Sequence, residues 1–134
     1  MNFAISIQHL SHQYGKTQAL KEVSLQIPQG VTVGLIGPDG VGKSTLLSLI
    51  SGVKILQQGD ISVFGLNIAD SKARDQLSHK IAFMPQGLGK NLYPTLSIYE
   101  NIEFHARLYS LPKAYRQARI ERLLQATGLL PFAD

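Results

Sequence analysis

The sequence predicts an α/β fold, and three observations carry that prediction. Apolar residues alternate with small or polar ones at Phe3, Ile5 and Ile7 and again at Val23, Leu25 and Ile27, the pattern of antiparallel strands with one buried face. A nearly continuous apolar run follows at residues 31–36, as in a strand covered on both faces. A glycine-rich loop, Gly37-Pro-Asp-Gly-Val-Gly-Lys-Ser44, then joins that run to a Leu-rich segment with the composition of a helix.

Between the first two strands, residues 9–16 read as a polar break containing Tyr14-Gly15, and Pro28-Gln29-Gly30 turns the chain into the apolar run. Residues 44–51 read as a helix that Gly52 stops in a left-handed conformation. Ile61 and Val63, followed by Phe64-Gly65, predict a short strand and turn. Polar residues 70–80 suit a short surface helix, and residues 81–84 a buried strand ending at Pro85-Gln86. Ser97 with Glu100 predicts a capping box. Ile98, Ile102, His105 and Tyr109 then share one helical face, with His105 expected in the core. A further helix is expected from near Pro112, with a stripe of Ile120, Leu123, Leu124 and Thr127, ended by Gly128. No repeat, low-complexity tract or linker interrupts the chain.

The length of 134 residues suits one domain, and 44% hydrophobic against 16% charged residues fits a globular chain rather than a disordered one. The net charge of +4 is scattered, unlike the clustered Lys and Arg of a nucleic-acid binder. Lys113, Arg116, Arg119 and Arg122 drift around a helix and read as a solvated surface. The absence of cysteine excludes disulfides, thiol catalysis and Cys-ligated metals. No stretch approaches the ~18 apolar residues of a membrane span, and the N-terminus lacks a signal-peptide pattern. A soluble chain with any membrane partner separate or fused elsewhere is expected.

The loop carries the chemistry. Gly37-x4-Gly42-Lys43-Ser44 matches the phosphate-loop pattern after a predicted strand and before a predicted helix. Triphosphate oxygens need many donors at close range. Gly37, Gly40 and Gly42 let the backbone curl so that successive amides, with those of Asp39 and Val41, face an anion. The helix start adds unpaired amides and its positive dipole end. Lys43 is expected to reach the β- and γ-phosphates, Ser44 to ligate Mg²⁺, and Thr45 to donate to a phosphate oxygen.

Around that loop the chain resembles the ATPase domains of ABC transporters. The opening Tyr14-Gly-Lys-Thr-Gln-Ala-Leu-Lys-Glu-Val-Ser-Leu-Gln-Ile-Pro28 is similar to the family's antiparallel start, which implies that Tyr14 stacks on adenine. Ile81-Ala-Phe-Met-Pro-Gln86 resembles the family's Q-loop, which implies that Gln86 senses Mg²⁺ and the attacking water. Leu92-Tyr-Pro-Thr-Leu-Ser-Ile-Tyr-Glu-Asn101 is similar to the segment that opens a helical subdomain facing a permease. The wording Gly-Pro-Asp-Gly-Val-Gly-Lys and Met84-Pro-Gln-Gly-Leu-Gly-Lys-Asn-Leu-Tyr93 resembles a narrower group of ribosome-associated ATPases fused to an export-type permease.

The resemblance implies a partial P-loop NTPase core with an N-terminal antiparallel β subdomain and the start of a helical subdomain. Residues 1–134 correspond to the N-terminal portion of one nucleotide-binding domain, ahead of its signature and second metal-binding motifs. It implies ATP and Mg²⁺ as cofactors. The implied partners are a membrane permease subunit or fused permease domain, a second nucleotide-binding domain in a sandwich dimer and, through the narrower wording alone, a ribosome. The implied location is cytoplasmic, peripheral to the inner face of the membrane. A non-hydrolysing nucleotide-binding module or a ribosome-associated ATPase fragment is the alternative; a P-loop kinase or GTPase is disfavoured, since no Asn-Lys-x-Asp occurs.

Two departures from the family pattern stand out. Asp39 replaces the more usual Asn or Ser. A carboxylate about 6 Å from a phosphate charge costs on the order of 3 kcal/mol at an effective dielectric of 20, so Asp39 is expected to point outward. The 134 residues also contain no Leu-Ser-Gly-Gly-Gln, and no apolar run leading into Asp-Glu, so no catalytic Glu is visible. Leu49-Ile-Ser-Gly52 echoes the signature but reads as packing plus a cap. None of His9, His12, His79 or His105 lies at the family's switch-His position.

Overall fold

The computed structural model describes residues 2–87 and 91–134. Their contacts divide the chain into two compact units, Met1–Phe83 and Met84–Asp134.

The first unit is built on an antiparallel sheet. Its strands are β1 (Phe3–Tyr14), β2 (Thr17–Pro28), β3 (Gln58–Val63) and β4 (Leu66–Asn67), in the order β2-β1-β3-β4. β1 and β2 form a hairpin closed by Gly15-Lys16, with Tyr14 opposite Thr17 and Gly15 at a φ of 56° that suits glycine. Residues 9–14, expected as a polar break, instead continue β1. A bulge absorbs their polarity: His9 takes a φ of 49° and register shifts flank it on both neighbouring strands. The shift re-aims the strand so that Leu10 is completely buried while His9 faces Glu22, its Nδ1 2.9 Å from Oε2.

Helix α1 (Lys43–Ile50) starts at Gly42, and Gly52 ends it at a φ of 74° as predicted. Its Leu46 and Leu49 pack into a cluster with Ile7, Leu10 and Leu20 of the hairpin and Ile61 and Val63 of β3. Each such fully buried aliphatic side chain stabilises the fold by roughly 1.5–3 kcal/mol. Helix α2 (Ser71–Leu77) is capped by Asp70, which accepts from the Lys72 amide, and buries Ala73 and Leu77.

The apolar runs at residues 31–36 and 81–84 do not form strands. A strand exists through its ladder, and among the described residues neither run belongs to one. Ile36 is consequently 97% and Met84 89% exposed. Val31, Val33 and Leu35 line one wall of an apolar cavity of about 460 Å³ against β2 and α1.

In the second unit, α3 (Ile98–Leu108) carries the expected capping box. Ser97 Oγ accepts from the Glu100 amide at 3.1 Å, and Glu100 accepts from the Ser97 amide at 2.8 Å. Helix α4 (Lys113–Thr127) starts after Pro112 and ends at Gly128, φ 70°. Ile120 and Leu124 are buried, but Leu123 is 43% exposed, and the Thr127 hydroxyl turns back to the Leu123 carbonyl. The expected stripe is therefore narrower than the sequence suggested. Asn101 is the polar centre of this unit: buried, it accepts from the Tyr93 amide and donates to the carbonyls of Tyr93, Leu96 and Ser97. His105 is half-buried rather than in the core, with Nε2 3.1 Å from the Asn91 carbonyl. Arg116 is half-buried and donates to the Leu111 carbonyl, while Lys113, Arg119 and Arg122 are exposed as expected. No helix among the described residues is long and apolar enough to cross a membrane.

Candidate nucleotide-binding site

The loop of residues 37–42 leads from the extended run into α1. Gly40 and Gly42 hold φ values of 79° and 97°, left-handed conformations that an L side chain rarely adopts. At Gly42 a side chain is excluded twice over. An added Cβ would collide with the Ala19 carbonyl and stand 2.8 Å from Leu20 Cδ2, so the loop is pressed against β2. The Leu46 amide bonds the Gly42 carbonyl at 2.9 Å, which starts the helix at Lys43 and leaves its first-turn amides without helical partners.

Lys43 Nζ donates to the Gly37 carbonyl at 2.6 Å and to that of Pro38, so the ammonium lies across its own loop. Asp39 and Val41 are exposed, as is Ser44. Thr45 is buried at 8% exposure on the inner side of the first turn.

Tyr14, at the end of β1, meets this turn. Its hydroxyl lies 3.2 Å from Thr45 Oγ1, so the residue expected at the base end and one expected at the phosphates touch. Lys54, beyond α1, stands with Nζ 4.9 Å from the Tyr14 ring centroid, a cation–π distance. The imidazole of His12 packs edge-to-face on the same ring, centroids 4.9 Å apart. The Thr45 hydroxyl, opposed by partial burial and assisted by Lys54, holds the Tyr14 phenol below its ordinary value of 10.0. Tyr14 remains 44% exposed.

Sequence reasoning missed Lys54 and His12. Lys54 lies in a loop with no motif of its own, and only the return of residues 54–58 alongside the Tyr14 turn brings it there. The Gln57 side chain secures that return, accepting from the Gln13 amide at 2.9 Å and donating to its carbonyl at 3.1 Å. Gln57 and Gln58 also line a polar cavity of about 550 Å³ with Ser11, His12, Gln13, Gly15 and Gln18. His12 Nδ1 is buried there with no hydrogen-bond partner among the described residues.

Gln86 follows Pro85 in the second unit and is exposed. Of the segment 84–93 that suggested the narrower ribosome-associated group, residues 88–90 lie outside the described ones.

The family model for ABC transporters matches residues 20–134. The linearmycin resistance ATP-binding protein LnrL of Bacillus subtilis is 34% identical over 125 residues, covering 93% of this chain and 39% of that protein. A probable sulfate/thiosulfate import ATP-binding protein CysA of Chlorella vulgaris is 34% identical over 131 residues, covering 98% of this chain and 53% of that one. Among solved structures, cbiO1 from Clostridium perfringens, part of the ABC transporter complex cbiONQ, matches with a TM-score of 0.79 at 26% identity, over 100% of this chain and 54% of its own. The ATP-binding cassette MJ0796, a dimer bound to ADP and Pi, matches with a TM-score of 0.78 at 26% identity, over 96% of this chain and 60% of its own. The chain thus spans about half the length, or less, of the curated relatives it matches. With the glycine-rich loop inside the matched region, and the fold shared with a solved ATP-binding subunit of an ABC transporter, the chain belongs to the ABC transporter family.

Proposed function

We propose that this chain binds ATP with Mg²⁺ as the nucleotide-binding part of an ATPase that energises membrane transport. The observation that carries the reading is the loop itself: Gly42 in a left-handed turn against β2, opening α1 with Lys43, Ser44 and Thr45 in its first turn. In this reading Lys43 exchanges the Gly37 and Pro38 carbonyls for β- and γ-phosphate oxygens. The first-turn amides receive the remaining phosphate charge, and the adenine stacks on the exposed part of Tyr14.

Mg²⁺ takes oxygen ligands, keeps several waters and draws others from phosphates. An exposed Ser44 hydroxyl suits that sparse set. Among the described residues no cluster of three or more His, Cys, Asp or Glu offers a competing cage. When bound, the metal supplies positive charge against the phosphates.

The names of the relatives point the same way: probable sulfate/thiosulfate import in one and linearmycin resistance in another, each as an ATP-binding protein. We infer a membrane permease as the partner that couples to the nucleotide. A second nucleotide-binding domain closes over the site, in keeping with the dimer formed by MJ0796. That assembly lies at the cytoplasmic face of a membrane. Nothing in the names of these relatives speaks for a ribosome.

These 134 residues contain no carboxylate placed as a general base by a second metal-binding motif. Binding without appreciable turnover is therefore the expected behaviour of this chain on its own. Titration calorimetry with MgATP tests the first part. Lys43→Ala should weaken binding about tenfold or more, the loss of charge-assisted hydrogen bonds. No heat of binding for the unmodified chain would overturn the reading. A radiolabelled phosphate-release assay tests the second part, and a rate typical of an intact ATPase would contradict it.

A further inference from the structure

Tyr14 and Thr45 stand at opposite ends of the proposed nucleotide, one under the base and one beside the phosphates, yet their hydroxyl oxygens are 3.2 Å apart. Each hydroxyl has one proton and two acceptor positions. One proton fills the contact, and the other remains free to choose a partner. Thr45 is buried, and Tyr14 is steadied by Lys54 over its ring and His12 at 4.9 Å, so neither partner moves freely.

We propose that the Tyr14–Thr45 pair couples the base end of the site to its phosphate end, making Tyr14 a positioning residue for phosphate as well as a platform for the base. When Tyr14 donates to Thr45 Oγ1, the Thr45 proton is released toward a phosphate oxygen, and the two hydroxyls form a chain ending on the anion. Hydrogen bonds in such a chain polarise one another. The phenol hydroxyl therefore strengthens a phosphate contact that it does not itself make. This inference rests on the ATP-binding reading above, and it assigns to that site an internal link.

A ligand with phosphates and no base separates the two. Magnesium tripolyphosphate is titrated into the full chain, its Tyr14→Phe, Thr45→Val and Thr45→Ser variants, and the Tyr14→Phe/Thr45→Val double variant. Tyr14→Phe keeps the ring and loses the hydroxyl. It should weaken tripolyphosphate binding about three- to tenfold, the worth of one hydrogen bond, although this ligand has nothing to stack. In the Thr45→Val background the same change should add nothing, and in the Thr45→Ser background its effect should return. A merely structural loss would instead be additive in the double variant. Unchanged or tighter tripolyphosphate binding in Tyr14→Phe, or additivity with Thr45→Val, overturns the link while leaving the ATP-binding reading in place. If the unmodified chain binds neither MgATP nor tripolyphosphate, the ATP-binding reading falls first, and the link with it.

Discussion

Lys54 holds its ammonium 4.9 Å from the centre of the Tyr14 ring, whose hydroxyl meets Thr45 in the first turn of α1. Two lysines thus frame the site, one along the phosphate loop and one over the aromatic platform. The second has no counterpart in any motif of the sequence. Its presence gives Tyr14 an electrostatic environment that a spectroscopic titration can read.

Tyr14 should ionise below the ordinary phenol value in an ultraviolet alkaline titration. Its value is lowered chiefly by the Thr45 hydroxyl, with Lys54 contributing. Tyr14→Phe should delete the early component, and Thr45→Val should move it up toward the ordinary range. Because the folded value is depressed, this group adds to stability only at alkaline pH. Its contribution is complete above the unfolded value near 10 and is lost as pH falls through the folded value. Below the folded value the phenol is protonated and can donate, as the link to Thr45 requires.

Gly59→Ala should destabilise the first unit by about 2 kcal/mol or more. Gly59 has a φ of 92°, and a Cβ there would sit 2.5 Å from the His9 carbonyl oxygen and 2.7 Å from that of Gln8. The obstacle is backbone, which cannot swing aside as a side chain could. A urea melt monitored by circular dichroism measures the shift, and a variant as stable as the parent would contradict this account of the bulge.

Asn101→Ala should loosen the turn before α3. The side chain satisfies one amide and three carbonyls across residues 93–97. Its removal takes away the partner of the Tyr93 amide and of the Leu96 carbonyl, at roughly 1 kcal/mol for each hydrogen bond lost. Hydrogen exchange should accelerate at the Tyr93 amide more than within α4.

Asp39→Asn should change MgATP affinity less than threefold, since the carboxylate is exposed to solvent and screened. A tenfold tightening in calorimetry would place Asp39 against the phosphates.

Much of the candidate site's backbone was legible because its conformation is set locally. A strand-like run, three glycines and Lys-Ser-Thr within nine positions specify a curled backbone and a helix start, and both formed. The capping box at Ser97 and Glu100, and the left-handed stops at Gly52 and Gly128, were legible for the same reason: each is decided by a few neighbouring residues. The runs at 31–36 and 81–84 were read as strands from their apolar composition. Composition reports that a segment wants covering but not which segment pairs with it, and a ladder needs a partner. The break expected at residues 9–14 failed for the opposite reason. A bulge at His9, permitted by Gly59 on the neighbouring strand, carried polar residues through a strand that periodicity alone had ended.

The amino-acid sequence by itself determined the glycine-rich loop and the helix start that follows it. Close donor spacing along the backbone is a matter of consecutive residues, so Gly37 to Thr45 announces itself wherever it occurs. Only the tertiary structure decided what surrounds Tyr14. Thr45 comes from 31 positions away and Lys54 from 40, and β1, α1 and the loop after α1 had to pack before those side chains met. The contact between Tyr14 and Thr45 depends on that packing, because a hydrogen bond acts over about 3 Å whatever the distance along the chain.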